Sequence, residues 1–143
     1  MNTFDDWKEL DLLTGLIYGE ARGEVPFGRL MVGTVALTRS EHPGHWGWGN
    51  NLKDVILKPC QFSCYDLDNI NRIKIVGAKK AESAEWRACQ KIALTVMEKK
   101  YNIIEQPTHY HTTDVEPVWA KKLKYLFAVG KHKFYTCFGG DHE

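Results

Sequence analysis

Apolar residues recur at threes and fours in three long stretches of this chain, and those stretches set the expected architecture. Trp7, Leu10, Leu13, Leu16, Ile17 and Ala21 form one stripe, which predicts a helix over residues 7–22 with Gly23 placed to end it. Pro26 suits the first turn of a second helix, whose inward face is expected to hold Leu30, Met31, Val35, Ala36 and Thr38. Residues 81–99 carry the clearest stripe, Trp86, Cys89, Ile92, Ala93, Val96 and Met97, with charges opposite.

The segments between read differently. SEHPGHWGWGNN at residues 40–51 is dense in turn formers and predicts a loop. Residues 52–57 fit a short helix stopped by Pro59, and residues 61–65 an extended piece. Residues 66–77, isoleucines scattered among polar residues, read as a loop or poor hairpin. Residues 107–117 read as a second loop holding His109, Tyr110 and His111, residues 118–129 as a last helix, and residues 133–138 as extended. No repeat or linker interrupts the series. The sum is α+β, a single mostly helical domain over residues 1–143 with a small β element.

Composition narrows the function classes. The chain is 43% hydrophobic and 26% charged, an ordinary globular balance. Its 19 basic and 18 acidic residues leave a net charge of +1, which argues against a nucleic-acid partner. The acidic opening MNTFDDWKELDLL does not read as a secretion signal, and no stretch has the apolar length of a membrane span. Synthesis in the cytoplasm is therefore expected. Four cysteines are too few for a disulfide scaffold, so reduced thiols, two or three of them packed as small apolar residues, are expected.

Glu20 is the anomaly of the first helix. It follows Ile17 and Leu16 by three and four positions and Leu13 by seven, which puts a carboxylate on or beside the apolar stripe. Loss of hydration there favours the neutral acid and suits it to proton donation. Pattern alone favours a plainer reading, a boundary glutamate paired with Arg22 or Arg39. Glu24 is one turn on, either a surface partner for Arg22 or a second carboxylate acting on Glu20. His45, Trp46 and Trp48, then Gln61, Phe62, Ser63 and Tyr65, then His109, Tyr110 and His111 supply the aromatic faces and hydrogen-bonding groups that a sugar polymer takes. Trp46 and Trp48 serve equally as loop anchors. Cys60 and Cys64 have a spacing found in zinc sites, but the His109–His111 spacing does not match, and no metal or other cofactor is expected.

These same segments, in order, resemble the SleB-type cell-wall hydrolases, the spore cortex-lytic transglycosylases and their phage and bacterial relatives. The resemblance starts at IYGEARGE (residues 17–24), continues through VGTVALTR (32–39), KPCQFSC (58–64), THYH (108–111) and PVWA (117–120), and ends at GKHKFY (130–135). It implies a lysozyme-like domain that cuts the β-1,4 bond between N-acetylmuramic acid and N-acetylglucosamine. Glu20 stands where that family has its catalytic acid. Gln61, Phe62 and Ser63 look like the floor of a substrate groove, and His109, Tyr110 and His111 like its wall. Glu24 and Arg22 match only as assisting or structural residues. No second carboxylate has an obvious place, which favours a lytic transglycosylase over a lysozyme-type hydrolase. A non-catalytic glycan-binding module would keep the aromatic loops without needing Glu20, and a zinc amidase would be chelator-sensitive. The expected partner is the peptidoglycan glycan strand, met by a monomer. With no signal segment read, the expected setting is a phage endolysin-like enzyme released to the wall through a membrane pore.

Overall fold

The fold is available as a computed structural model that describes residues 3–99 and 106–138. The expected single domain of residues 1–143 therefore includes residues outside that description. Five helices precede a sheet: α1 (Glu9–Ala21), α2 (Pro26–Ser40), α3 (Leu52–Leu57), α4 (Ile70–Ala81) and α5 (Ala84–Met97), then β1 (His109–Thr112), β2 (Lys124–Val129) and β3 (His132–Thr136). The architecture is α+β and mostly helical. Among the described residues no helix is long and apolar enough to cross a membrane.

Helix α1 is the central post. Leu12, Leu13, Thr14, Gly15, Leu16, Ile17 and Ala21 are buried, so the helix is covered nearly all round rather than along one stripe. It packs chiefly on α5 and α2, whose inward residues include Trp86, Cys89, Ala93 and Val96 on one and Met31, Val35, Ala36 and Thr38 on the other. Pro26 opens α2 as its fixed φ allows. Helix α1 ends two residues before Gly23, at a right-handed Arg22. Helix α5 starts later than its stripe suggests, because Ser83 caps it by accepting the Trp86 N–H at 3.1 Å. Cys64, Cys89 and Cys137 are buried, and Cys60 is exposed.

Four expectations need correction. Residues 66–77 are not a loop or hairpin. Asn69 caps a helix there, its side chain accepting the Asn71 N–H, and Ile75 and Ala78 enter the core while Ile70 and Ile73 stay exposed. Residues 118–129 are not a helix: one 3-10 turn, Val118–Lys121, leads into β2. Tyr125, Phe127 and Val129 favour a strand once a partner is present, and Gly130 turns the chain straight into β3, with Val129 opposite His132. His109–Thr112 is strand β1 rather than loop, because β3 lies alongside to take its hydrogen bonds. Residues 63–65 form a 3-10 turn, not an extended piece. The sheet is antiparallel in the order β1–β3–β2.

Candidate active site

The C-terminal turn of α1 carries Glu20 to the seam between helices and sheet. The 3-10 turn Ser63–Tyr65 presses on the same helix. The Tyr65 hydroxyl donates to the Leu12 carbonyl at 2.6 Å, and a Cβ at Gly19 would fall 2.7 Å from the Cys64 Cβ. Glycine there is what lets Cys64 lie beside Glu20.

Across the seam, the Tyr110 hydroxyl donates to Glu20 Oε1 at 2.7 Å. Tyr110 lies nearly parallel to Phe62, with centroids 6.4 Å apart, and is flanked by Phe134 and His132. Burial raises the Glu20 pKa above the usual carboxylate range; the Tyr110 hydrogen bond and the His132 charge oppose this, and the Asp66 charge adds to it. Burial, then the Glu20 charge, push the Tyr110 phenol well above its own ordinary range, so it remains a donor. The arrangement favours the protonated carboxyl more than water does, and sets a fixed donor to support the anion left after proton transfer.

Strand alternation divides the expected His–Tyr–His wall. Tyr110 meets Glu20, whereas His109 and His111 face an aromatic cluster. His109 Nδ1 is 2.9 Å from the Thr108 hydroxyl, and its ring lies 5.3 Å from Trp46, 6.1 Å from Trp48 and 5.0 Å from Trp119. Burial and the nearby Arg39 charge lower its pKa to about 3, so it stays neutral. His111 Nε2 lies 2.9 Å from the Tyr135 hydroxyl.

Arg39 joins the other expected residues. Its Nε donates to the Thr108 carbonyl at 2.8 Å and its Nη1 to Gln61 Oε1 at 3.2 Å, while the guanidinium lies over the Trp48 and Phe62 rings. Burial lowers its pKa to about 10, which leaves it charged at neutrality. Phe62 and Trp48 are buried, at 2% and 3% exposure, so they support the site from beneath. Gln61 and Ser63 are exposed, as is Trp46.

Neither arginine pairs with Glu20. Arg22 Nη1 donates to the Tyr18 carbonyl at 2.9 Å and lies over the Tyr18 ring, and Arg39 is engaged as above. Glu24 turns to the β2–β3 hairpin, where its Oε1 accepts the Lys131 N–H at 2.8 Å and lies 2.7 Å from His132 Nδ1. Burial would raise its pKa, but the Lys131 N–H and then the His132 hydrogen bond and charge outweigh it and hold the carboxyl below its usual range.

His132 and Lys131 are the site residues that sequence reasoning missed; Cys64, read there for its zinc-like spacing, and Asp66 act on Glu20 as neighbours. For His132 a signal existed: alternation in β3 puts it on the face of Phe134, beside Tyr110. A cavity of about 240 Å³ lies here, lined by Glu20, Ala21, Gly23, Glu24, Thr112, Lys131 and His132. A larger one, about 630 Å³, is lined by Asp66 and Tyr65 with Leu57, Pro59, Cys60, Leu67, Asp68 and Arg72.

Comparison with known proteins gives two findings. A family model described as Cell Wall Hydrolase matches residues 23–135, starting just after Glu20. The catalytic domain of the germination-specific lytic transglycosylase SleB from Bacillus anthracis superposes with a TM-score of 0.67 at 19% identity, over 92% of this chain and 98% of that one. No curated protein matches significantly.

Proposed function

The chain belongs to the cell wall hydrolase family, and we propose that it degrades peptidoglycan by cutting the β-1,4 bond between N-acetylmuramic acid and N-acetylglucosamine, with Glu20 as the general acid. The carrying observation is the half-buried Glu20 carboxyl with the Tyr110 hydroxyl on its Oε1. Glu20 gives its proton to the glycosidic oxygen as positive charge develops at the muramic C1. Tyr110 then stabilises the carboxylate that remains. We favour a lytic transglycosylase. The sugar's own C6 hydroxyl attacks C1 and yields its proton to a base, Glu20 itself in the simplest scheme, closing a 1,6-anhydro ring. The fold shared with a lytic transglycosylase domain supports this reading, as does the engagement of Glu24 with Lys131 and His132 rather than with open space.

A second reading, a lysozyme-type hydrolase, draws on Asp66. Its charge acts on Glu20, and a hydrolase uses a second carboxylate as nucleophile or to activate water. Digestion of purified peptidoglycan in water enriched in heavy oxygen, followed by mass spectrometry, separates the two. The transglycosylase leaves unlabelled anhydro ends, lighter by one water. Labelled reducing ends would identify the hydrolase, and Asp66→Asn would then be the variant to test next.

A further inference from the structure

Glu24 and His132 are joined as a carboxylate–imidazole dyad that opens into the cavity holding Glu20. Helix–helix turn and hairpin are built around that contact. Glu24 Oε1 takes the Lys131 N–H at 2.8 Å and lies 2.7 Å from His132 Nδ1. A Cβ at Gly130 would fall 2.6 Å from Glu24 Oε2, and φ there is +55°, so glycine is needed for the carboxylate to lie against the turn. The carboxylate fixes a proton on Nδ1, which leaves Nε2 as an acceptor in the neutral ring. His132 lines the cavity, and no hydrogen bond engages its Nε2 among the described residues. Glu20, by contrast, already has donors on it from Tyr110 and Cys64.

We infer that His132, oriented by Glu24, is the base that takes the proton of the hydroxyl attacking the muramic C1. The inference rests on Glu20 being the acid. In the step, the glycosidic C1–O bond breaks and the leaving oxygen receives the Glu20 proton. The attacking oxygen bonds to C1, and its proton passes to His132 Nε2. Glu20 ends as carboxylate and His132 as imidazolium, opposite charges in one cavity. Return of the proton from His132 to Glu20 through solvent resets the site. The scheme supplies a second catalytic group without a second free carboxylate, and it serves the sugar hydroxyl and a water alike.

The test uses the whole chain and soluble glycan strands from purified peptidoglycan. Long-range nitrogen–proton correlation spectra of the wild type, taken at a pH where the ring is neutral, should show His132 protonated at Nδ1 and bare at Nε2, a measurement that needs no substitution. Glu24→Met removes the oxygen that accepts from Nδ1, which the amide oxygen of a glutamine would replace, and so should let the ring proton move to Nε2. Its kcat should fall about 100-fold, with KM changed less than about threefold. His132→Gln should lose as much, and the double variant no more than His132→Gln alone. A proton on Nε2 of the wild type, or kcat within about threefold of wild type in either single variant, overturns the inference. Loss in Glu20→Gln with full activity in both dyad variants removes the dyad alone. Full activity in Glu20→Gln removes the acid, and the dyad's role with it.

Discussion

In the helical body the buried positions include Leu12, Leu13, Leu16, Ile17, Trp86 and Val96, whereas in the sheet and the residue before it they include Thr108, His109, His111, His132 and Thr136 beside Phe134. The helices bury mainly apolar surface that needs no partner, with Arg39 and a few threonines as the polar exceptions. The sheet buries groups that do, and nearly every one is met: His109 by Thr108, His111 by Tyr135, His132 by Glu24, and the Cys137 N–H by the Thr108 hydroxyl. Stability resides mainly in the first region and polar chemistry in the second. Glu20 belongs to both, being carried by the apolar post and satisfied by the sheet.

The contrast can be broken first at Glu20. Glu20→Gln keeps the shape and removes the transferable proton, so wall-clearing activity should fall by about 10²–10⁴-fold while the thermal midpoint holds or rises. Activity near that of the wild type would remove Glu20 from the chemistry. In the helical body the effects should reverse. Leu16→Ala empties space in the post and should cost about 2–5 kcal/mol in denaturant unfolding, with kcat kept at temperatures where the variant is folded. A smaller loss would mean that the neighbouring helices close the gap.

Gly19→Ala tests the junction. The new methyl meets Cys64 and Ile75, so about 1–3 kcal/mol of destabilisation is expected, with reduced activity because Cys64 borders Glu20. An intact enzyme would show that the Ser63–Tyr65 turn can retreat freely.

The polar region should also show itself through pH. His109 is held neutral, its pKa about 3 in the fold against 6.5 for an ordinary histidine. Between those values the unfolded chain binds a proton that the folded chain refuses. Its contribution is thus complete above about pH 6.5 and is lost as the pH falls toward about 3. Thermal midpoints of the wild type should therefore drop more steeply on acidification than those of His109→Gln, and parallel curves would contradict this. The smallest expected effect is that of a chelator. No group of three or more His, Cys, Asp or Glu among the described residues is arranged to hold a metal ion, so EDTA should change neither activity nor melting. A loss restored by zinc would favour the amidase reading instead.

Local pattern alone determined the helices α1, α2 and α5, because a 3.6-residue apolar period kept over a dozen residues lines up on one face only when the chain is helical. It also located Glu20 at the edge of a stripe, where a carboxylate loses water. It misread α4, whose alternating isoleucines look equally like a strand until Asn69 caps the turn and Ile75 finds the core. It misread β2 as well, since KYLFAV becomes a strand only with β3 beside it. The partners of the two glutamates lay beyond any local window. Tyr110 reaches Glu20 from 90 positions away and His132 reaches Glu24 from 108. Periodicity reports which face of one element is apolar. Which donor meets a half-buried carboxylate depends on how separate elements pack, and here only the meeting of α1 with the sheet decided it.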